Sequence, residues 1–348
     1  MRIKDIPTPA LIIEKQVVER NIARMKELVE KLPMELYPHY KSNKCAWIAS
    51  RQLAEGAGGI TGATIAEAED LVMHGINHIV IANQLVGEAK CDRLAKIAVG
   101  RNVTVCVDAA ENVLELEEAA RKAGCTLRIL VEYDVGMRRC GVTTAEAVAE
   151  LAALISRQPH LLFEGIQAYA GQLSHEADGA YRKAEVARIE KEVAGVKAFV
   201  EAAGYPVKEV CGGSTGTVED RTADSVYTQL QCGSYLFMDA SYGRLGLGFE
   251  QSLFLLATVI SADEDHFVID AGVKSFAMDQ DPPYLTAWPG AKVKFSEEHT
   301  AAYGIANPPA PGTLVRCVPG HCCTTIARHR EIYLVDGDEV DRVLRITG

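Results

Sequence analysis

Short apolar runs alternate with helical patterns along the first two thirds of the chain, and this alternation constrains the fold more than any other feature. GITGAT at 59–64 precedes AEAEDLVMHG, and VTVCVD at 103–108 precedes AENVLELEEAARKAG, where apolar residues recur at i, i+3 and i+4. Repeated β-α units predict a parallel sheet. Because no G-x-G-x-x-G follows the first run, PALIIE, we expect a closed (β/α)8 TIM-type barrel rather than an open dinucleotide-binding sheet.

The pattern changes after residue 240, where strand-like runs follow one another without helices between them. LFLLATVIS, HFVIDAG, TLVRCVP and EIYLVDG are the clearest of these runs. They predict a mostly antiparallel β domain. We therefore predict a barrel over residues 9–240 and a β domain over residues 241–348, joined by residues 1–8.

Composition excludes several classes of function. The net charge is −11, and lysines and arginines are scattered, so we expect no nucleic-acid partner. No apolar run approaches the roughly 20 residues of a membrane span, and the start MRIKDIPTPA lacks the apolar core of a secretion signal. We expect a cytoplasmic protein with no membrane partner, whose ten cysteines are reduced thiols.

Candidate catalytic groups are expected at the carboxyl ends of the barrel strands, because the βα loops meet there. The run ELYPHYK ends with His39 and Lys41, an imidazole beside an amine, although a lone lysine at a strand end is more often a solvated charge. Small-residue segments at 212–217 and 231–235 follow later strands. Their main-chain N–H groups and hydroxyls can surround a phosphate. Together these features predict a phosphorylated aldehyde cofactor.

Nine segments of the chain resemble, in the same order, those of one enzyme family. They are PTPALIIE, PHYKSNK, DVGMRRCGV, IQAYAGQ, GGSTGT, LQCGSYLFMD, IDAGVKS, SEEH and PGHCCTT. The family comprises the D-threonine aldolases, D-serine dehydratases and 3-hydroxyaspartate lyases, relatives of alanine racemase among the fold-type III pyridoxal-phosphate enzymes. The resemblance implies pyridoxal 5'-phosphate as cofactor, a small β-hydroxy-D-amino acid as substrate, and a homodimer.

The resemblance also assigns roles around the cofactor. Lys41 carries it, Lys44 is a spectator, Arg139 approaches its phenolic oxygen, and Tyr169 lies against its ring. His39 is a candidate base. The residues that would hold the phosphate are Ser214, Thr215, Gly216, Gly233 and Ser234. Gln231 stands where alanine racemases carry an arginine facing the pyridine nitrogen, and the choice between Gln231 and Tyr235 for that contact stays open.

A His-x-Cys pair near the end of the chain is a candidate metal site. His321 and Cys323 are predicted to lie on one face of an extended segment. If the family resemblance is set aside, the more common interpretation of such a pair is a packed histidine and a buried thiol without a metal. The resemblance makes them ligands of a divalent ion, with zinc favoured over manganese or magnesium. His299 in SEEH is a further candidate for contact with substrate or metal.

Four functions are compatible with these residues. D-threonine aldolase, a carbon–carbon lyase, is favoured by GGSTGT and LQCGSYLFMD. A D-serine or 3-hydroxyaspartate dehydratase, an ammonia-lyase, is favoured by the cysteine at 323, where we expect an acidic residue in aldolases. An amino-acid racemase needs two opposed bases and no metal. A non-catalytic pyridoxal-phosphate-binding protein is disfavoured by the additional β domain.

Overall fold

The computed structural model describes residues 1–347, which form two compact units. The barrel unit comprises residues 26–41 and 48–233, and the β unit comprises residues 1–25, 42–47 and 234–347. In chain order, the strands are β1 (Ala10–Glu14), β2 (Glu35–Leu36), β3 (Ile60–Gly62), β4 (His78–Gln84), β5 (Asn102–Val107), β6 (Leu127–Glu132), β7 (Leu161–Ala168), β8 (Glu209–Gly212), β9 (Gln229–Leu230), β10 (Leu253–Ala262), β11 (His266–Ile269), β12 (Tyr284–Leu285), β13 (Lys292–Phe295), β14 (Thr300–Tyr303), β15 (Leu314–Val318), β16 (Glu331–Asp336) and β17 (Glu339–Arg345).

Helices alternate with strands through the first part of the chain. They are α1 (Lys15–Val29), α2 (Ala46–Ala54), α3 (Ile65–Met73), α4 (Glu88–Ala98), α5 (Ala110–Ala123), α6 (Ala145–Ser156), α7 (Gly179–Ala202), α8 (Ala240–Gly243) and α9 (Cys322–Ile326). Several begin at a capping side chain: Thr64 accepts from the amide of Glu67, and Asp178 accepts from the amides of Ala180 and Tyr181. Such caps satisfy amides that a helix start leaves without an internal partner.

Eight parallel strands form the sheet of the barrel unit, in the order β2-β9-β8-β7-β6-β5-β4-β3. The two end strands of this order, β2 and β3, close the barrel through residues that follow β2. His39 forms a parallel bridge with Thr61, and the Thr61 amide donates to the carbonyl of Pro38 at 3.0 Å. Side chains such as Val80, Cys106 and Leu130 pack together in the core. The predicted barrel is thus confirmed, and the carboxyl ends of its strands share one rim.

The β unit contains a mostly antiparallel sheet, as predicted. Its order is β13-β14-β11-β10-β1-β16-β17, with β15 pairing with β10 and β12. The prediction that PALIIE opens the barrel is wrong: β1 pairs parallel with β16 and antiparallel with β10. Its side chains Ala10 and Ile12 pack in a core with Leu256 and Tyr333, which accounts for its place in this sheet. The domain limits 9–240 and 241–348 themselves stay a prediction.

Two further structural facts bear on function. Among residues 1–347, no helix combines the length and apolar character needed to cross a bilayer. All ten cysteines are free thiols, and most are buried.

Candidate active site

Lys41 lies just beyond the end of β2, as the strand-end argument predicts. The chain leaves β2 at Leu36 and forms a 3-10 turn at Tyr40–Ser42 that contains the half-buried Lys41. Tyr40 is fully buried, and its hydroxyl donates to the buried carboxylate of Asp70. This contact fixes the turn, and the Lys41 Nζ lies 5.8 Å from the centroid of the Tyr169 ring. Lys41 is therefore an amine held against an aromatic face at the barrel rim.

His39 is buried beside Lys41. Its Nδ1 accepts a hydrogen bond from the Lys41 amide at 3.4 Å. Burial, followed by the charges of Lys41 and Arg139, holds the pKa of His39 well below its usual value. The imidazole is consequently neutral at physiological pH. A lowered pKa weakens it as a proton acceptor, and its role as a base stays a prediction.

The depressed pKa of His39 predicts a pH-dependent stability. The unfolded chain protonates this imidazole below pH about 6.5, whereas the folded chain does not, so stability is present above that pH and is lost as the pH falls. Between pH 7.5 and 5.5 the loss is at most about 1.4 kcal/mol, the limit for an imidazole that stays neutral in the folded chain. Urea unfolding of the wild type and of His39→Gln at both pH values measures it. An identical pH dependence in the two proteins would contradict the assignment.

Arg139 and Tyr169 come together at the same rim. The Arg139 guanidinium carbon is 5.6 Å from the centroid of the Tyr169 ring, and its Nη2 is 3.8 Å from Glu132 Oε1. Gln84 Nε2 donates to Glu132 Oε2 at 2.6 Å. Burial raises the pKa of Glu132, while the contacts of Gln84 and Arg139 oppose this shift. Sequence reasoning missed Glu132 and Gln84, although both end barrel strands, where functional groups are expected.

The small-residue segment after β8 forms a tight buried loop. Ser214 donates its amide to Thr217 Oγ1 at 3.2 Å, and Thr215 and Thr217 are buried. A side chain at Gly216 would bring a Cβ to 2.0 Å from the carbonyl oxygen of Ser174, so only glycine allows this approach. Ser174 Oγ also lies 3.1 Å from the Tyr169 hydroxyl. Ser174 thus links the candidate phosphate loop to the aromatic ring beside Lys41.

Gln231 forms a closed pair with Gln167. The Gln167 amide donates to Gln231 Oε1 at 2.8 Å, and the Gln231 amide donates to Gln167 Oε1 at 3.1 Å. Both side chains are buried. Gln231 therefore presents a neutral, internally bonded amide, and its equivalence to the arginine of alanine racemases stays a prediction. Gln167 is a partner that sequence reasoning missed. Gly233 ends the barrel unit two residues later.

In the β unit, the His-x-Cys pair does not lie on an extended segment, and that prediction is wrong. Cys322–Ile326 is helical, with His321 at its N-cap position and Cys323 in its first turn. The two side chains nevertheless contact each other, and His321 Nδ1 is 2.7 Å from Asp279 Oδ2. Burial lowers the pKa of His321, but the contacts with Cys323 and Asp279 outweigh it and raise the pKa to about 9.

Hydroxyl groups surround the Cys323 thiol. Its Sγ is 3.3 Å from Ser42 Oγ and 3.6 Å from Ser234 Oγ. Ser234, predicted to hold phosphate, therefore contacts the candidate metal ligand in this unit. Tyr235 is fully buried, with its ring 5.6 Å from the centroid of Phe249.

Two side chains of the β unit, His321 and Cys323, are the candidate metal ligands. In the part of the chain that the structure describes, no group of three or more His, Cys, Asp or Glu side chains is arranged to hold an ion. An imidazole and a thiol in contact still fit a soft divalent cation that completes its coordination with substrate or water. His299 is exposed, and its carbonyl accepts from the Ser296 amide at 2.9 Å; its role stays a prediction.

Two family models match the chain. The alanine racemase N-terminal domain matches residues 13–241, and the putative serine dehydratase domain matches residues 252–335. The chain is 36% identical to a 3-hydroxy-D-aspartate aldolase of Paracoccus denitrificans, covering 99% of this chain and 92% of the relative. It is also 36% identical to a D-threonine aldolase of Arthrobacter sp., covering 99% of this chain and 93% of the relative.

Solved structures give the same picture. The D-threonine aldolase from Filomicrobium marinum matches with a TM-score of 0.97 at 33% identity, covering 100% of this chain and 97% of that one. The D-threo-3-hydroxyaspartate dehydratase from Delftia sp. HT23 matches with a TM-score of 0.89 at 25% identity, covering 99% and 98%. One solved form of that dehydratase is a cysteine-to-alanine mutant in the metal-free form.

Proposed function

Because the chain belongs to the alanine racemase-like family that includes the D-threonine and 3-hydroxy-D-aspartate aldolases, we propose that it is a pyridoxal-phosphate- and metal-dependent lyase of β-hydroxy-D-amino acids. It is an enzyme, and the favoured reaction is the retro-aldol cleavage of the D-threonine aldolase type. The end-to-end likeness to the two aldolases carries this proposal, with Lys41 at the barrel rim as the supporting geometry.

The residues of the barrel unit fit pyridoxal phosphate. Lys41 supplies the amine for covalent attachment, Tyr169 an aromatic face, and Arg139 a cation for the phenolic oxygen. Ser214, Thr215 and Gly216 offer amides and hydroxyls in a loop that a larger side chain at Gly216 would disrupt. When bound, the cofactor takes up the electron pair released at the substrate Cα. Gln231 and Gly233, at the end of this unit, stay proposed contacts, as do Ser234 and Tyr235, the next two residues of the chain.

The chain's own groups then handle protons and orientation. Lys41 Nζ is the proposed proton donor and acceptor at Cα. The neutral His39 holds the Lys41 backbone through Nδ1, and it is the proposed acceptor of the β-hydroxyl proton. Glu132, steadied by Gln84, limits the freedom of Arg139. Each of these contacts keeps a charged or basic group in place before substrate arrives.

The β unit is proposed to hold the divalent ion through His321 and Cys323. Zinc suits an imidazole–thiolate pair best, and manganese and magnesium are the alternatives. Such an ion would bind the substrate's β-hydroxyl oxygen and act as a Lewis acid there. This requirement restricts the substrate to β-hydroxy-amino acids.

In the retro-aldol reaction, the β-hydroxyl loses its proton and the Cα–Cβ bond breaks. The β-carbon leaves as an aldehyde, and the electron pair of the broken bond passes to Cα, which is then protonated to give glycine. No oxidant or reductant is needed. The choice of the bond that breaks depends on how the substrate is oriented against the cofactor ring.

A dehydratase is the second candidate, and two observations favour it. The putative serine dehydratase domain matches the β unit, and the ligand at position 323 is a cysteine. In this reaction Lys41 removes the Cα proton and hydroxide leaves from Cβ. Water then replaces the amine, giving a keto acid and ammonia. The same lysine, cofactor and ion serve both reactions.

Product analysis tests the proposal. The purified protein, supplied with pyridoxal phosphate and Zn²⁺ or Mn²⁺, is incubated with D-threonine, D-serine and D-3-hydroxyaspartate. Glycine with acetaldehyde or glyoxylate supports the aldolase.

A keto acid with equimolar ammonia supports the dehydratase instead. Loss of optical activity without cleavage indicates a racemase, and cofactor binding without any turnover indicates a non-catalytic binding protein; either result rejects a lyase. A homodimer and a cytoplasmic location complete the proposal.

A further inference from the structure

Asp279 contacts the proposed metal ligand His321 through one carboxylate oxygen. Its Oδ2 lies 2.7 Å from His321 Nδ1, while its Oδ1 accepts a hydrogen bond from Thr324 Oγ1 at 2.6 Å. The side chain of His321 is 16% exposed and that of Asp279 is 44% exposed. Because a half-exposed ion pair contributes little to folding stability, the contact is better explained by what it does to the ring.

The loop that carries Asp279 packs against the segment that carries His321. It makes contact both before and after the aspartate. Before it, the Ala277 amide donates to Thr325 Oγ1 at 3.0 Å. After it, the carbonyl oxygen of Asp281 would be 1.8 Å from a Cβ at position 320, which is a glycine. This close packing means that Asp279 reaches the imidazole from a backbone held in place at two points.

We propose that Asp279 is a positioning residue that orients His321 for a divalent cation. An ionised carboxylate can only accept hydrogen bonds, so the proton shared with Asp279 must sit on Nδ1. When an ion displaces the other ring proton, the lone pair of Nε2 becomes the ligand, and the contact with Asp279 holds the ring in that orientation. Thr324 restrains the carboxylate from its other oxygen, so the chain Thr324–Asp279–His321 sets the direction of Nε2. This inference rests on the proposed metal site.

The alternative is a contact that serves the fold alone. In that case, removing the carboxylate changes stability but leaves the affinity for the ion unchanged. A carboxylate that does not bind the metal but orients a ligating histidine typically contributes about 10- to 100-fold to metal affinity. Metal affinity, measured without any turnover assay, therefore separates the two interpretations.

The experiment compares Asp279→Asn with the wild type and with Asp281→Asn. The second variant removes the same charge from the same loop but does not contact His321; Asp281 lies 3.4 Å from Arg244 instead. Each full-length protein, with pyridoxal phosphate bound, is titrated with Co²⁺ in competition with a chromophoric chelator. The thiolate-to-Co²⁺ absorption band reports the participation of Cys323. Circular dichroism and thermal melting verify that each variant is folded.

We expect Asp279→Asn to bind Co²⁺ roughly 10- to 100-fold more weakly, with Asp281→Asn close to wild type and the cofactor content equal in all three. Wild-type affinity in Asp279→Asn overturns the inference while leaving the metal site intact. An equal loss in both variants also overturns it, because charge rather than contact would then be responsible. If His321→Ala binds Co²⁺ as tightly as wild type, the proposed metal site falls and the inference falls with it.

Discussion

Lys41→Ala is expected to abolish turnover and to remove the visible absorbance of the protein supplied with pyridoxal phosphate. The proposed function gives Lys41 both the attachment of the cofactor and proton transfer at Cα. Loss of a positioned general base alone costs roughly 10²- to 10⁴-fold in rate, and loss of the covalent link adds to it. An absorbance spectrum together with a product assay measures both effects.

Lys44→Ala is the matched control for this prediction. Lys44 lies three residues further along the same PHYKSNK segment, and its carbonyl accepts from the Thr347 amide, a contact that the substitution preserves. We expect this variant to keep its visible absorbance and its activity. Loss of absorbance in Lys44→Ala with retention in Lys41→Ala would show that the cofactor lysine is misassigned. Thermal melting of both variants distinguishes this result from unfolding.

The barrel and the position of Lys41 were accessible from sequence because both depend on local patterns. Alternating strand and helix periodicities specify a parallel sheet, and a parallel barrel brings all its strand ends to one rim. Tyr169 follows β7 directly, the loop at 214–217 begins two residues after β8, and Lys41 lies five residues after β2, so strand boundaries alone place all three near the rim. The contacts that connect them, such as that of Ser174 with the Tyr169 hydroxyl, depend on the fold and do not follow from local patterns.

Both errors concern short segments whose structure is decided by packing with distant parts of the chain. PALIIE is a short apolar run, and such a run has the same pattern whether it enters a barrel or an antiparallel sheet. Its neighbours β10 and β16 lie more than 200 residues away in sequence, so nothing local selects them. The helix at Cys322–Ile326 was missed because its β-branched threonines and isoleucine are weak helix formers, and tertiary packing overrides that preference.

The carboxylates that orient other side chains, Asp279 and Glu132, could not be predicted for a different reason. Asp279 and His321 are 42 residues apart, and Gln84 and Glu132 are 48 apart. Each pair is made by the fold rather than by a motif. Only the position of Glu132 and Gln84 at strand ends could have marked them as candidates. Sequence therefore identifies groups that do chemistry more readily than groups that orient them.

His321→Ala and Cys323→Ala are each expected to lose the divalent ion and most of their activity while keeping the visible absorbance of the cofactor. The proposed ion acts as a Lewis acid on the β-hydroxyl oxygen, a role that contributes several kcal/mol to the transition state. Since 1.36 kcal/mol corresponds to tenfold in rate, a loss of about 100-fold or more in kcat/KM follows. Metal content, the cofactor spectrum and turnover are measured on the same preparations, with a chelator-treated wild type alongside.

Cys322→Ala is the control that separates ligation from packing. Cys322 is the adjacent thiol, fully buried, with its Sγ 3.9 Å from that of Cys323. Its removal leaves a small cavity and a modest loss of stability, but the proposed ligand remains, so metal content and turnover should stay near wild type. Since the cofactor and the ion are proposed to bind through different side chains, the two losses should be separable. Undiminished turnover after complete removal of the ion would refute a metal-dependent reaction and leave a cofactor-only mechanism.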